Sequence, residues 1–230
     1  MLSGLLLITT PFAFILIFCL CYRVSRSPNS FIFLCSILLY SLFFAISCSF
    51  YNSPFSSQYY FLFLPIVEVA VRSIPVVLIA VKCFHFLPKM LAPTSVSPSF
   101  TPKLQSSLYF SFALGCALSH FIFSYLPLLS RGLTAATLRS QYCPTMSVFH
   151  LSSLKSIFSL YSHTVVFLNL LISKIEKKKY RFILTIIYYL VAEYSGLSII
   201  KCSCLISLTL QLILIVIPGF LLMMNVLKKN

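Results

Sequence analysis

The stretch "SSLYFSFALGCALSHF", residues 106–121, decides the fold class. It is an apolar run without a charged residue, and within it Ser107, Ser111, Gly115 and Ser119 recur four apart, with His120 beside the last of them. Residues four apart share one face of a helix, so the segment predicts a helix with a shallow, nearly bare track. In lipid, helices associate through van der Waals contact and interhelical hydrogen bonds, and small residues at this spacing permit both. Ser111, Gly115 and Ser119 are therefore expected to form a packing seam, with His120 supplying a polar contact at its border.

The rest of the chain has the same character. Of its 230 residues, 60% are hydrophobic and 9% charged, against roughly 45–50% and about 25% in soluble domains; the mean hydropathy is +1.01. Such values define a polytopic membrane protein. Long continuous apolar runs, without strict alternation, exclude a β-barrel and leave an all-α fold. Spans of about 20 residues are predicted at 2–22, 30–50, 59–84, 105–127, 148–173, 181–200 and 203–227, so that residues 1–230 make a single seven-helix membrane domain. Polar turns such as "YRVSRSPN" (22–29) and "YNSPFSSQ" (51–58) separate them. The stretch "PKMLAPTSVSPSFTPK" (88–103) is expected to be a loop, because its prolines oppose helix continuation. The first run lacks the basic start and cleavage pattern of a removable signal and is expected to persist in the mature protein.

Charge sets the expected orientation. With the N-terminus outside, twelve of the seventeen basic residues fall on the cytosolic side: Arg23, Arg26, Lys82, Lys89, Lys103, Lys174, Lys177, Lys178, Lys179, Arg181, Lys228 and Lys229. Arg131, Arg139 and Lys201 fall outside, and Arg72 and Lys155 within spans. This asymmetry predicts a luminal or extracellular N-terminus and a cytosolic C-terminus. It also explains the net charge of +14 as a cytosolic rim facing anionic lipid, without nucleic acid.

The available chemistry is narrow. There is no aspartate, and the only side-chain carboxylates are Glu68, Glu176 and Glu193, which excludes a paired-aspartate intramembrane protease. Neither a Gly-x-Ser-x-Gly elbow nor a phosphate-cradling glycine loop occurs. Glu68 and Arg72 in "IVEVAVRS" (66–73) stand one helical turn apart, in a span interrupted by Pro65 and Pro75. They read either as a packing ion pair turned toward protein or as part of an ion or proton path. Of the four histidines, His85 and His150 lie near span ends. His120 and His163 lie deep, on different helices, with no cysteine or carboxylate at ligand spacing, so no metal or other cofactor is expected. Cys35, Cys48, Cys83 and Cys116 sit in apolar runs as small hydrophobes. Cys143, Cys202 and Cys204 are candidates for luminal pairing, and Cys19 and Cys21 for acylation.

Read in order, several landmarks resemble the APH-1 family, the seven-span scaffold subunits of γ-secretase. They are a proline in the first span, "TPFAFILIF" (10–18); the basic turn "RVSRSPN" (23–29); Glu68 and Arg72 in the third span; the seam in the fourth; "LLSRGL" (128–133); the histidine in "LYSHTVVFLNLL" (160–171); and "EKKKY" (176–180). The resemblance places the family's small-residue motif on Ser111, Gly115 and Ser119, its intramembrane histidine on His163 and its tribasic turn on Lys177, Lys178 and Lys179. Two departures stand out: two of the three seam glycines are serines, and "ILTIIYYLVAEYSGL" (183–197) lacks the family's second histidine, with Leu190 near that place and Tyr189 and Glu193 as polar neighbours. The resemblance implies a non-catalytic scaffold in endoplasmic reticulum, Golgi and plasma or endosomal membranes. Its partners would be a presenilin-like protease subunit, a nicastrin-like single-span glycoprotein and a PEN-2-like subunit, docked in the bilayer. A seven-span endoplasmic-reticulum protein of the nicalin-partner type is the nearest rival. A chemosensory receptor or a transporter built on Glu68, Arg72, Glu193 and the histidines are further alternatives.

Overall fold

The computed structural model describes residues 13, 27–51, 65–91, 102–132, 148–196, 209 and 212–221. The first predicted span apart from Ala13, much of the last, and Cys19, Cys21, Cys143, Cys202 and Cys204 lie outside the described residues, as does the His150 side chain. The elements are α1 (Ser27–Tyr51), a π-helical turn (Glu68–Ser73) leading into α2 (Ile74–Leu91), α3 (Pro102–Gly132), α4 (Val148–Ile175), α5 (Lys179–Gly196) and a second π-helical turn (Leu212–Val216). There is no strand among the described residues. Pro28–Cys48, Gln105–Ser124 and Leu154–Ile175 are long and apolar enough to cross a bilayer. The chain is thus an all-α protein with membrane-spanning helices.

Two boundaries differ from the sequence reading, and proline explains both. The helix expected to end at 84 continues through Pro88 to Leu91, and the next begins at Pro102, so helix reaches into both ends of the stretch 88–103. A proline near a helix end leaves few carbonyls without a partner, and at the first helical position its missing N–H is one that would go unused anyway. Pro75 acts differently, because it stands inside the helix and can give no hydrogen bond to the carbonyl four residues back. The backbone just before it widens into the π turn Glu68–Ser73, closed by the Ile74 amide bonding to the Val69 carbonyl five residues earlier.

The helices form an up-and-down bundle with α3 and α4 at its centre. Contacts fix the directions: Ser107 meets Asn29 while Ser119 meets Ser41, so α1 and α3 run parallel. Arg72 meets Ser47, His163 stacks on His120, and Arg181 meets Asn169 while Tyr189 meets His163, so α2 and α4 run opposite to α1, α3 and α5. The core is Val76, Val77, Phe110, Ala113, Leu114, Val165, Phe167, Leu170 and Leu171. By contrast Phe31, Leu34, Leu38 and Leu42 on α1, and Ile183, Leu184, Ile187 and Val191 on α5, point outward, as lipid-facing surfaces do.

Candidate functional site

Ser111, Gly115 and Ser119 are all buried, and the helix that fills their track is the chain's own α1. Ser119 Oγ lies 3.0 Å from Ser41 Oγ and 3.4 Å from the Ile37 carbonyl. Ser111 satisfies its hydroxyl on the Ser107 carbonyl at 2.8 Å, which keeps it from protruding. At Gly115 the approach is so close that a Cβ would sit 2.6 Å from the Phe33 carbonyl oxygen and closer still to Ser36 Oγ. Small side chains on α3, with Ser111 satisfied within its own helix and Ser119 bonded across, let α1 settle onto the track.

Above that contact the structure gathers polar groups that are far apart in sequence. Arg72, 3% exposed, donates to Glu68 within its own turn and to Ser47 Oγ on α1, and its guanidinium lies 4.2 Å over the Phe44 ring. The Tyr189 hydroxyl of α5 donates to the other Glu68 oxygen at 3.0 Å and lies 3.4 Å from His163 Nε2 on α4. His163 Nδ1 stands 2.8 Å from the Ser159 carbonyl. A carbonyl only accepts, so that nitrogen carries a proton. Glu193 lies 3.9 Å from the same Nε2.

His120 joins from α3, its ring stacked on His163 with centroids 3.7 Å apart and planes at 20°. The Tyr40 hydroxyl shares a hydrogen bond with its Nδ1 at 2.9 Å and Ser124 Oγ with its Nε2 at 3.2 Å. Stacked imidazoles aim their nitrogens outward in their own planes, so the pair packs and hydrogen-bonds; it does not converge on one point as metal ligands do. Among the described residues no three His, Cys, Asp or Glu side chains are grouped to hold a metal. The cluster draws on the candidate membrane spans Pro28–Cys48, Gln105–Ser124 and Leu154–Ile175, and lies toward the ends of the first two.

All five intramembrane polar residues singled out in the sequence, Glu68, Arg72, His120, His163 and Glu193, meet here. Tyr189 bridges Glu68 to His163, and a second imidazole, that of His120, stacks on His163 from α3. Tyr40 and Ser47 had no sequence signal beyond being hydroxyls in an apolar run. Lys177, Lys178 and Lys179 stand apart, at the opposite end of the bundle, in the turn joining α4 to α5. Arg181, counted with them on the cytosolic side, folds inward instead: it is buried and donates twice to Asn169 Oδ1, at 2.8 and 3.2 Å. His85 is exposed near the end of α2.

Compared with family models, with curated proteins and with solved structures, the chain matches none.

Proposed function

We propose that the protein is a non-catalytic membrane scaffold of the APH-1 type, seven-spanning with its N-terminus outside, that assembles and stabilises an intramembrane aspartyl protease of the γ-secretase kind. The observation that carries this reading is the buried polar cluster that joins the helices. The residues on which the family resemblance rests in the third and fifth spans, Glu68, Arg72 and His163, bond through Tyr189 to the sixth. A scaffold must hold several helices at fixed angles in a solvent that offers no hydrophobic force to align them, and buried hydrogen bonds between helices do this. The absence of aspartate supports the same division of labour, since the catalytic pair would come from a presenilin-like partner. The basic bias of Lys177, Lys178 and Lys179 supports the orientation. Because α1 fills the seam, the nicastrin-like, presenilin-like and PEN-2-like subunits are to be sought on the outward faces of α1 and α5.

The test is affinity purification of the tagged chain in mild detergent, followed by mass spectrometry. Presenilin-like and nicastrin-like subunits are expected in the eluate. A nicalin-like protein in their place selects the endoplasmic-reticulum alternative, and neither would remove the scaffold reading.

A further inference from the structure

At the end of the bundle away from the cluster, α2, α3 and the α4–α5 turn enclose an open groove of about 850 Å³, within the roughly 300–1,000 Å³ range of small-molecule sites. Lys82, His85, Lys174 and Lys177 line it above an apolar floor that includes Phe84 and Ile175. An adjoining concavity shares Lys174 and Lys177 and adds Lys178 and Lys179. We infer that this groove binds the phosphorylated headgroup of an anionic membrane lipid.

Charge accounting carries the inference. The chain has three side-chain carboxylates. Glu68 is taken by Arg72, Glu193 stands beside His163, and Glu176 bonds Lys178 at 2.7 Å with Arg181 at 3.9 Å. No acidic side chain of the protein is left to neutralise Lys82, Lys174, Lys177 and Lys179. Helix dipoles do not account for the concentration either: the C-terminus of α4 favours cations, but the N-terminus of α5, which begins at Lys179, disfavours them.

Backbone geometry adds a second observation. Lys177 has φ 56°, the left-handed conformation that glycine adopts most readily. It closes α4 in a Schellman turn, with Lys178 N–H on the Ser173 carbonyl at 2.8 Å and Lys177 N–H on the Lys174 carbonyl at 3.2 Å. That turn presents Lys174 and Lys177 to the same opening. Lysines act on phosphate as movable point charges, and an apolar floor at the membrane edge suits the first carbons of an acyl chain. A phosphomonoester headgroup places several charges within reach of several lysines, which phosphatidylserine, with one net charge, cannot do. Basic pockets between membrane helices recognise phosphoinositide headgroups on these terms.

The purified full chain in nanodiscs tests this. Discs of phosphatidylcholine carry either phosphatidylserine or phosphatidylinositol bisphosphate at matched total charge, and bound lipid is counted by native mass spectrometry. Selective retention of the bisphosphate is expected, weakened by about fivefold for each of Lys82→Gln, Lys174→Gln and Lys177→Gln. Lys155→Gln, at the other end of α4, should leave retention unchanged, and unaltered melting of the variants in detergent would show that they fold. Equal retention of the two anionic lipids, or retention indifferent to the groove lysines, would overturn the inference. So would soluble inositol trisphosphate binding as tightly as the lipid, which would move the ligand from bilayer to cytosol.

Discussion

At Gly115 one hydrogen in place of a methyl group sets how near α1 comes to α3. A Cβ there meets the Phe33 carbonyl, which is backbone and cannot rotate away, and Ser36 Oγ, which can. Gly115→Ala is therefore expected to lower stability in detergent by about 1–3 kcal/mol, the usual cost of overpacking. Adding Ser36→Gly should restore part of the loss, read as melting temperature, because it removes the movable obstacle and leaves the fixed one. A wild-type melting temperature for Gly115→Ala alone would mean that the helices do not approach this closely. The ion pair offers a second test at this scale. Arg72→Met strands Glu68 in the interior and should cost about 3–5 kcal/mol, whereas the double variant Glu68→Gln with Arg72→Met should be less damaged than Arg72→Met alone. Equal melting of the single and double variants would show that Glu68 is not buried with its charge. Tyr189→Phe, which removes the donor to the second Glu68 oxygen at 3.0 Å, should cost about 1–3 kcal/mol.

At the scale of the element, the π turn Glu68–Ser73 orients the third span. Pro75 lacks the amide that would close an ordinary turn, and the extra residue per turn aims Glu68 at Tyr189 while Arg72 reaches Ser47. Pro75→Ala restores the amide and has the higher helix propensity, yet it is expected to lower the melting temperature. Re-forming an α turn rotates Glu68 and Arg72 away from their partners. A stabilised Pro75→Ala variant would show that the widened turn is incidental. The second π turn works in the same manner, since the carbonyls of Ile215 and Val216 accept from Tyr188 at 2.8 Å and Tyr161 at 3.4 Å. Gly219 close by lets the segment lie against those two tyrosines.

At the scale of the whole molecule, polarity among the described residues is sorted along the bundle axis: the lysines other than Lys155 gather at one end, and the buried charges Glu68, Arg72 and Glu193 lie away from it. If the lysine end faces the cytosol, Lys177→Cys in a chain otherwise free of cysteine should react with a membrane-impermeant maleimide only after the membrane is opened, in intact cells. Labelling from outside would invert the orientation. Much of this architecture was legible in the residues. The apolar runs at 30–50, 105–127 and 148–173 lie within α1, α3 and α4, because membrane helices carry their signal in local hydropathy. The end of α2 was not legible, since Pro88 reads as a breaker whether it falls in a loop or in the last turn of a helix. For the candidate site, single residues were legible and their meeting was not: Glu68 and Arg72 stood out as charges in lipid, but Tyr40 and Ser47 are hydroxyls like many others.

Linear order and composition were enough to establish helices in a membrane, a bare track on one of them and too few acids to balance the lysines, because each of these depends only on residue type and spacing. Which helix covers the track, and that Glu68, Arg72, His120, His163, Tyr189 and Glu193 share one interior, depended on how each helix is rotated and which neighbour it chooses. Those are properties of packed surfaces: several helices here present small or hydroxylated faces, and only their mutual fit in three dimensions selects α1 for Gly115 and one centre for the buried charges.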